Sequence, residues 1–180
     1  MATVALSART PRTRALSILL AVGVLALSSQ FALPVPRTPV PITLQPLVVV
    51  LVGLMLGPVD AVVAMVAYLA AGAAGLPVFS PIGAPGLLRL FGPTGGYLLA
   101  YPIAAAVAGK LGAGKTSFVT RALAAEAGIL MLYLGGLAQL SVLSGSIATA
   151  AMLGVVPFVA VDAVKALVAA AIAGTRRRAV

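Results

Sequence analysis

Residues 109–116 read GKLGAGKT, and residues of these types at this spacing could bind phosphate. The octet fits the P-loop pattern at every fixed position, which are Gly109, Gly114, Lys115 and Thr116. In a P-loop, backbone N–H groups cradle the phosphates of a nucleotide, the lysine reaches the terminal phosphates and the hydroxyl binds Mg²⁺. The pattern therefore raises the hypothesis of a nucleotide-binding protein.

Another feature that could do chemistry is the charged pair Asp162 and Lys165, which interrupts an apolar run at residues 147–173. A charge in the middle of a membrane helix costs about 2.5–3.5 kcal/mol, so such residues usually face the interior of a bundle and mark a substrate path. The i, i+3 spacing places both on one helix face, where they can pair, and Pro157 favours a bend one turn earlier. The pair is either structural and self-neutralising, or a polar anchor for a small substrate. In the second case the carboxylate would accept N–H donors and the ammonium would bind a carboxylate or carbonyl oxygen.

The segment at residues 75–101 is too rich in glycine and proline to form one helix. Its only charge is Arg89, which could meet the carboxylate of an incoming ligand or simply anchor the segment at the membrane interface. Tyr97 and Phe79 could supply aromatic walls. We expect this segment to contribute to a binding site on the outer side of the molecule.

A stiff connector at residues 34–46 reads PVPRTPVPITLQP. Its prolines exclude a helix, and Thr38, Thr43 and Gln45 place polar groups beside the expected mouth of a bundle. The connector could act as a lid or merely link the first two helices.

The composition indicates an integral membrane protein, and we expect that it is not an enzyme. Of 180 residues, 62% are apolar and 8% charged, against about 25% charged in a typical globular domain. The mean hydropathy is +1.18. There is no cysteine and no histidine, and the acidic residues are Asp60, Glu126 and Asp162. Ser/His/Asp and Cys/His catalysis are thereby excluded, and we expect neither a cofactor nor a metal site.

Six apolar runs predict an all-α protein with six transmembrane helices. The first run is preceded by basic residues like a signal peptide, but it is long and lacks a clear cleavage site, so we interpret it as a retained helix. Prolines, glycines and serines separate the runs, which cover residues of about 15–33, 43–56, 59–74, 93–109, 118–140 and 147–173.

The basic residues predict that both termini are cytoplasmic. With the N-terminus inside, the outer segments carry Arg37 and Arg89, whereas the inner segments carry Arg9, Arg12, Arg14, Lys110, Lys115, Arg121, Arg176, Arg177 and Arg178. The net charge of +9 therefore reflects membrane topology and not a nucleic-acid partner. We divide the chain into a basic segment (1–14), a transmembrane domain (15–173) and a basic tail (174–180), placed in the plasma membrane, a bacterial-type inner membrane.

Small residues recur at helix-packing spacing in two of the runs. The pairs are Ala67/Ala71, Ala70/Ala74, Ala100/Ala104 and Ala104/Ala108. Such pairs allow helix backbones to approach closely in lipid. They indicate packing within the bundle or, alternatively, a surface for a partner membrane protein.

The surroundings of GKLGAGKT argue against a P-loop. A P-loop lies between a buried strand and a helix, whereas a predicted membrane helix precedes residues 109–116. No stretch of the sequence predicts a soluble sheet, and no aspartate stands at a strand end to hold Mg²⁺. A nine-residue loop between two spans cannot wrap a triphosphate alone. We interpret the octet as a basic inner loop whose Lys110 and Lys115 mark topology.

Several motifs together resemble the BioY family, the biotin-binding S component of energy-coupling factor (ECF) transporters. They occur in the family's order, and the resemblance covers most of the chain. The matching stretches are TPVPITLQ at 38–45, LGP at 56–58, GLPVF at 75–79, GPTGGYL at 92–98, and the D-x-x-K pair Asp162/Lys165.

The resemblance implies a six-helix protein that captures biotin from outside. Transport would be energised by a separate module, made of a transmembrane T subunit and two ABC-type ATPases. This protein itself would be in contact with membrane lipid. The D-x-x-K pair carries over onto Asp162 and Lys165, and the arginine before GPTGGYL onto Arg89. With Tyr97, Thr43, Gln45 and Phe79, these form the predicted substrate site. The residues themselves do not single out biotin, so an S component for another vitamin is the alternative.

Overall fold

The computed structural model describes residues 10–175, which form seven α-helices, one 3₁₀ helix and one two-stranded antiparallel sheet. The 3₁₀ helix is Gly86–Phe91, and the strands are β1 (Ala32–Leu33) and β2 (Ile42–Thr43). The α-helices are α1 (Pro11–Gln30), α2 (Gln45–Leu56), α3 (Pro58–Ala73), α4 (Gly95–Gly112), α5 (Phe118–Ser144), α6 (Ile147–Gly154) and α7 (Val159–Thr175).

Short polar side chains start three of these helices. The side chains of Thr10, Ser117 and Ser146 each accept a hydrogen bond from a backbone N–H in the first turn of α1, α5 and α6. This satisfies donors that a helix leaves unpaired at its N-terminus. The predicted runs for α2 to α5 agree with the observed helices to about one turn. The remaining differences lie at the helix ends, which hydropathy does not define.

The prediction that residues 15–33 form one helix was wrong at both ends. The helix α1 begins earlier, at Pro11, and stops at Gln30. Ala32 and Leu33 instead pair with Thr43 and Ile42 as β1 and β2. The prolines between the strands cannot continue a helix, so the chain forms a short hairpin in place of a helical end.

The prediction of one continuous sixth helix was also wrong, because residues 147–173 form two helices. The axes of α6 and α7 differ by 55° across a break that contains Pro157. The proline was expected to bend the helix, and the structure shows that the helix is interrupted there. As a consequence, Asp162 lies in the first turn of α7. The partial positive charge of a helix N-terminus stabilises a carboxylate there.

Small residues bring α4 and α5 into close contact. A Cβ on Gly96 would overlap the carbonyl of Gly135, and Ala100 and Ala104 are buried in the same seam. The small-residue pairs of α4 thus pack within the bundle, as expected. The pairs predicted in α3 do not, since Ala67, Ala70 and Ala74 are exposed. The helix α3 packs through another face, formed by Ala61, Ala64, Met65, Tyr68 and Gly72.

One end of the bundle gathers the N-termini of α1, α3 and α5 with the C-termini of α4 and α7. Arg14 pairs with Asp60 at 2.6 Å, which joins α1 to α3. The Arg121 guanidinium donates to the carbonyl of Ala170 at 2.9 Å, which joins α5 to α7. We call this the basic end, because the described residues there include Arg12, Arg14, Lys110, Lys115 and Arg121. Arg9 and Arg176–Arg178 lie outside the described residues, as do most of the two basic terminal segments.

The opposite end carries the connectors. The Ser29 hydroxyl donates to the carbonyl of Val78 at 2.7 Å, and the Thr38 hydroxyl to the carbonyl of Leu153 at 2.6 Å. The amide of Gln139 donates to the carbonyl of Gly92 at 2.6 Å. These bonds fasten the connectors at residues 31–44 and 74–94 to the helices, and we call this the connector end.

Two helices of the described chain, α1 and α5, are long and apolar enough to cross a membrane on their own. The bent pair α6 and α7 would make a third span. Both α2 and α3 are apolar but shorter.

The octet GKLGAGKT lies at the basic end without a strand before it. Its first four residues are the last turn of α4. Within residues 10–175 the strands are β1 and β2, both at the connector end. The side chain of Arg121, from α5, also bonds to the loop and donates to the carbonyl of Thr116 at 2.6 Å. The loop backbone is therefore bonded to its own protein and does not have the strand–loop–helix form of a P-loop.

Candidate substrate-binding site

A cavity opens at the connector end, between the connectors and helices α4, α5 and α7. Its empty volume is about 680 Å³, including the part open to solvent. All seven residues predicted for the site line this one cavity: Thr43, Gln45, Phe79, Arg89, Tyr97, Asp162 and Lys165.

The Asp162 carboxylate is held on both of its oxygens. The Lys165 ammonium donates to Oδ1 at 2.6 Å, and the Tyr133 hydroxyl donates to Oδ2 at 2.8 Å. The side chains of Asp162 and Lys165 are 6% and 7% exposed. The pairing expected from the i, i+3 spacing is therefore present, and Tyr133 adds a contact from α5 across to α7.

This arrangement leaves donors available to a ligand. An ammonium carries three N–H groups, and within the described chain Lys165 uses one of them, for Asp162. The other two can bind a carbonyl or carboxylate oxygen in the cavity. Removing one member of such a buried pair leaves the other charge uncompensated, which typically costs about 3–5 kcal/mol.

Arg89 is buried and bonded to the loop that precedes it, so it does not act as an interfacial anchor. It is 5% exposed. Its guanidinium donates to the carbonyls of Ser80 at 2.6 Å, Ala84 at 2.7 Å and Ile82. Burial lowers the pKa of Arg89, yet a guanidinium stays protonated in proteins. Three of its five N–H groups are engaged, which leaves two for a ligand carboxylate.

Gln45 offers an acceptor to the cavity. Its Nε2 donates to the Tyr68 hydroxyl at 2.7 Å, and that hydroxyl donates to the carbonyl of Val78 at 2.9 Å. This chain of bonds fixes the amide orientation, because the hydroxyl has already used its only proton. Within residues 10–175 no group donates a hydrogen bond to the Oε1 of Gln45, so this oxygen can accept an N–H from a ligand. The hydroxyl of Thr43 supports the turn by accepting from the Gln45 N–H at 3.4 Å.

Phe79 and Tyr97 form aromatic walls, as their types suggested. The Phe79 ring lies over Gly72 and meets the Tyr68 ring edge-on, with centroids 5.4 Å apart. The Tyr97 ring occupies the space left by Gly136, and its hydroxyl donates to the carbonyl of Gly154 at 2.5 Å. Glycines on the helices therefore leave the space that each of the two rings fills.

Several lining residues were not identified from the sequence. Tyr101 follows Tyr97 by one turn of α4, so the i, i+4 spacing was a usable signal. Tyr133 gave no such signal, because its partner Asp162 is 29 residues away. The remaining unpredicted lining residues are Val40, Pro41, Ile42, Pro46, Ser80, Thr94, Leu98, Leu132 and Phe158.

The site suits a small ligand that is largely apolar and carries both N–H donors and a carboxylate. Apolar and aromatic walls surround two cations, one carboxylate and one amide. Within residues 10–175, no group of three His, Cys, Asp or Glu side chains could hold a metal ion. The arrangement can bind and orient a ligand, and nothing in it resembles a nucleophile with its base.

The chain is similar to known proteins of the BioY family. The model of the BioY family matches residues 3–180. A probable biotin transporter BioY of Pyrococcus horikoshii is 43% identical over 135 residues, which are 75% of this chain and 79% of that protein. The biotin transporter BioY of Thermotoga maritima is 40% identical over 139 residues, covering 77% of this chain and 82% of the relative.

The fold also matches a solved structure. A crystal structure of the S-component for biotin from an ECF-type ABC transporter superposes with a TM-score of 0.82. The match covers 95% of each chain, at 22% sequence identity. This likeness concerns the fold.

Proposed function

This chain belongs to the BioY family of biotin transporters, and from that premise we propose that it captures biotin on the outer side of a membrane and delivers it inward as an S component. The observation that carries the proposal is the cavity at the connector end. There the buried charged pair Asp162/Lys165 lines the same cavity as the aromatic rings of Phe79 and Tyr97.

The chemistry of biotin fits the groups that the cavity leaves open. Biotin has a ureido ring with two N–H donors and a carbonyl, an apolar thioether ring and chain, and a terminal carboxylate. The Oε1 of Gln45 and the Asp162 carboxylate can accept the N–H groups, and the spare N–H groups of Lys165 can bind the carbonyl. Arg89 is the candidate partner of the ligand carboxylate. Phe79, Tyr97 and Thr43 would enclose the apolar part.

Six membrane crossings with both termini inside follow from the arrangement of the helix ends. The ends of successive segments alternate between the basic end and the connector end, if α6 and α7 count as one bent span. Five of the described cations lie at the basic end, against Arg37 and Arg89 at the connector end. The positive-inside rule supports a cytoplasmic basic end, and we propose the plasma membrane as the location of the protein.

The energy for transport would come from partners. The chain belongs to a transporter family, and its described residues do not form the strand–loop–helix arrangement of a P-loop, which supports hydrolysis in other subunits. The relatives' family and the ECF-type fold support a transmembrane T subunit and two ABC-type ATPases as those partners. They would act at the basic end, where ATP is available.

A titration of the purified full-length protein with radiolabelled biotin tests the proposal. We expect saturable binding below micromolar biotin, with no competition from thiamine or riboflavin. Competition by one of those vitamins, with weak or no biotin binding, would indicate an S component for another vitamin. Absence of binding at micromolar biotin would contradict the proposed function.

A further inference from the structure

Most polar side chains around the cavity already have a protein partner. Both oxygens of Asp162 accept hydrogen bonds, and the hydroxyls of Tyr133 and Tyr97 each donate to a protein oxygen. The hydroxyl of Tyr68, next to the cavity, is engaged as donor and acceptor. These groups are fixed before any ligand binds.

Tyr101 differs from the other tyrosines. It lines the cavity from α4 and is 4% exposed, yet no group within residues 10–175 forms a hydrogen bond with its hydroxyl. In that part of the chain, no fully inaccessible side-chain oxygen or nitrogen lacks a partner. The remaining accessible surface of Tyr101 therefore includes its hydroxyl oxygen, and Tyr101 is one of the residues that line the cavity.

The ring that carries this hydroxyl is held rigidly. It stacks on the Tyr68 ring, with centroids 6.2 Å apart and planes inclined by 22°. Tyr68 is itself fixed by its bonds to Gln45 and Val78. A rotation of the Tyr101 side chain toward another partner would disrupt this stack.

Buried hydroxyl groups in folded proteins are nearly always hydrogen-bonded, because an unpaired one is unfavourable. We propose that the Tyr101 hydroxyl hydrogen-bonds directly to the bound ligand and helps to determine its specificity, an inference that rests on the proposed function. A hydroxyl both donates and accepts, so it can meet either an N–H or a carbonyl of a ureido ring. A ligand with an apolar group at that point would leave the hydroxyl unpaired and bind more weakly.

The test is the Tyr101→Phe variant of the full-length protein, purified without biotin. It keeps the ring and removes only the hydroxyl. We expect the Kd for biotin to rise about three- to tenfold, the value of one neutral hydrogen bond. The thermal unfolding temperature without biotin should not fall, since no protein bond is lost.

The Tyr97→Phe variant is the matched control. It makes the same deletion one helical turn away on the same face of α4, but this hydroxyl is bonded to the carbonyl of Gly154. We expect its unfolding temperature without biotin to fall, because a buried carbonyl loses its donor. The two variants thus separate a hydroxyl that serves the ligand from one that serves the fold.

The outcomes distinguish this inference from the proposed function. If the wild type binds biotin and Tyr101→Phe binds it with the same Kd, the hydroxyl holds at most a water molecule and the inference is overturned, while the proposed function stands. A lower unfolding temperature with unchanged affinity would likewise overturn it. If the wild type does not bind biotin at all, both fail.

Discussion

At the scale of single residues, the charged pair of the cavity is fixed from two sides. Tyr133 and Lys165 occupy different oxygens of the Asp162 carboxylate, so its plane is set before a ligand arrives. Such preorganisation lowers the ordering cost of binding. The same contacts also neutralise the charges, so the structure accommodates both the structural and the ligand-binding interpretation of the pair.

Substitution of the pair separates these interpretations. We expect Asp162→Asn and Lys165→Ala each to weaken biotin binding by about 10- to 150-fold, because charge-assisted hydrogen bonds contribute about 1.5–3 kcal/mol. Binding titrations of the purified variants measure this. Asp60→Asn removes the carboxylate of the ion pair at the basic end, far from the cavity, and should leave the Kd unchanged. Unchanged affinity in Asp162→Asn would mean that the pair is only structural.

At the scale of helices, the site depends on how closely α4 approaches α5. Tyr97 and Tyr101 project from α4, and Leu132 and Tyr133 from α5, so the spacing of these two helices sets the width of the cavity. Gly96 and Gly135 lie where their backbones meet. In lipid, such contacts rest on packing, since apolar side chains gain nothing from leaving an apolar solvent.

The Gly96→Ala variant tests this dependence. The added Cβ would overlap the Gly135 carbonyl and force the helices apart, so we expect a loss of stability of about 1–3 kcal/mol and weaker biotin binding. The control is Gly23→Ala in α1, where a Cβ would meet no neighbour within 4 Å and alanine favours the helix. Thermal unfolding of the two variants gives the comparison. An equal, small effect of both would show that the seam tolerates expansion.

At the scale of the whole molecule, the candidate binding cavity and most of the basic residues lie at opposite ends of the bundle. The cavity lies at the connector end, while GKLGAGKT and most of the described cations lie at the basic end. The loop at residues 113–117 is tied to α5 and α7 through Arg121, whose guanidinium bonds to Lys115, Thr116 and Ala170. The contacts use backbone carbonyls, so the exposed Lys115 side chain is not needed for them.

Accordingly, Lys115→Ala should leave biotin binding and thermal stability unchanged, and the wild type should not bind ATP. Filter binding with radiolabelled ATP, the biotin titration and thermal unfolding measure ATP binding, biotin binding and stability, respectively. ATP binding by the wild type that disappears in Lys115→Ala would revive the nucleotide-binding hypothesis.

The sequence by itself determined the class of protein and the chemistry of its candidate site. Composition, the lack of cysteine and histidine, and the distribution of cations follow from residue counts and order, without any contact geometry. Helical periodicity was enough to place Asp162 and Lys165 on one face, since that relation is local. The family motifs pointed to residues from several separate segments, which the structure brings to one cavity.

Only the tertiary structure decided how those residues are used. It divided the sixth run at Pro157, so that Asp162 lies at a helix N-terminus, and it bonded Arg89 to its own loop. It also showed that Tyr133 has a partner in Asp162 while the Tyr101 hydroxyl has none in the described chain. These relations join residues that are far apart in sequence, and the packing of α4, α5 and α7 sets their distances. Local patterns carry no record of such distances, which is why the free and the engaged hydroxyls could be told apart only in the folded molecule.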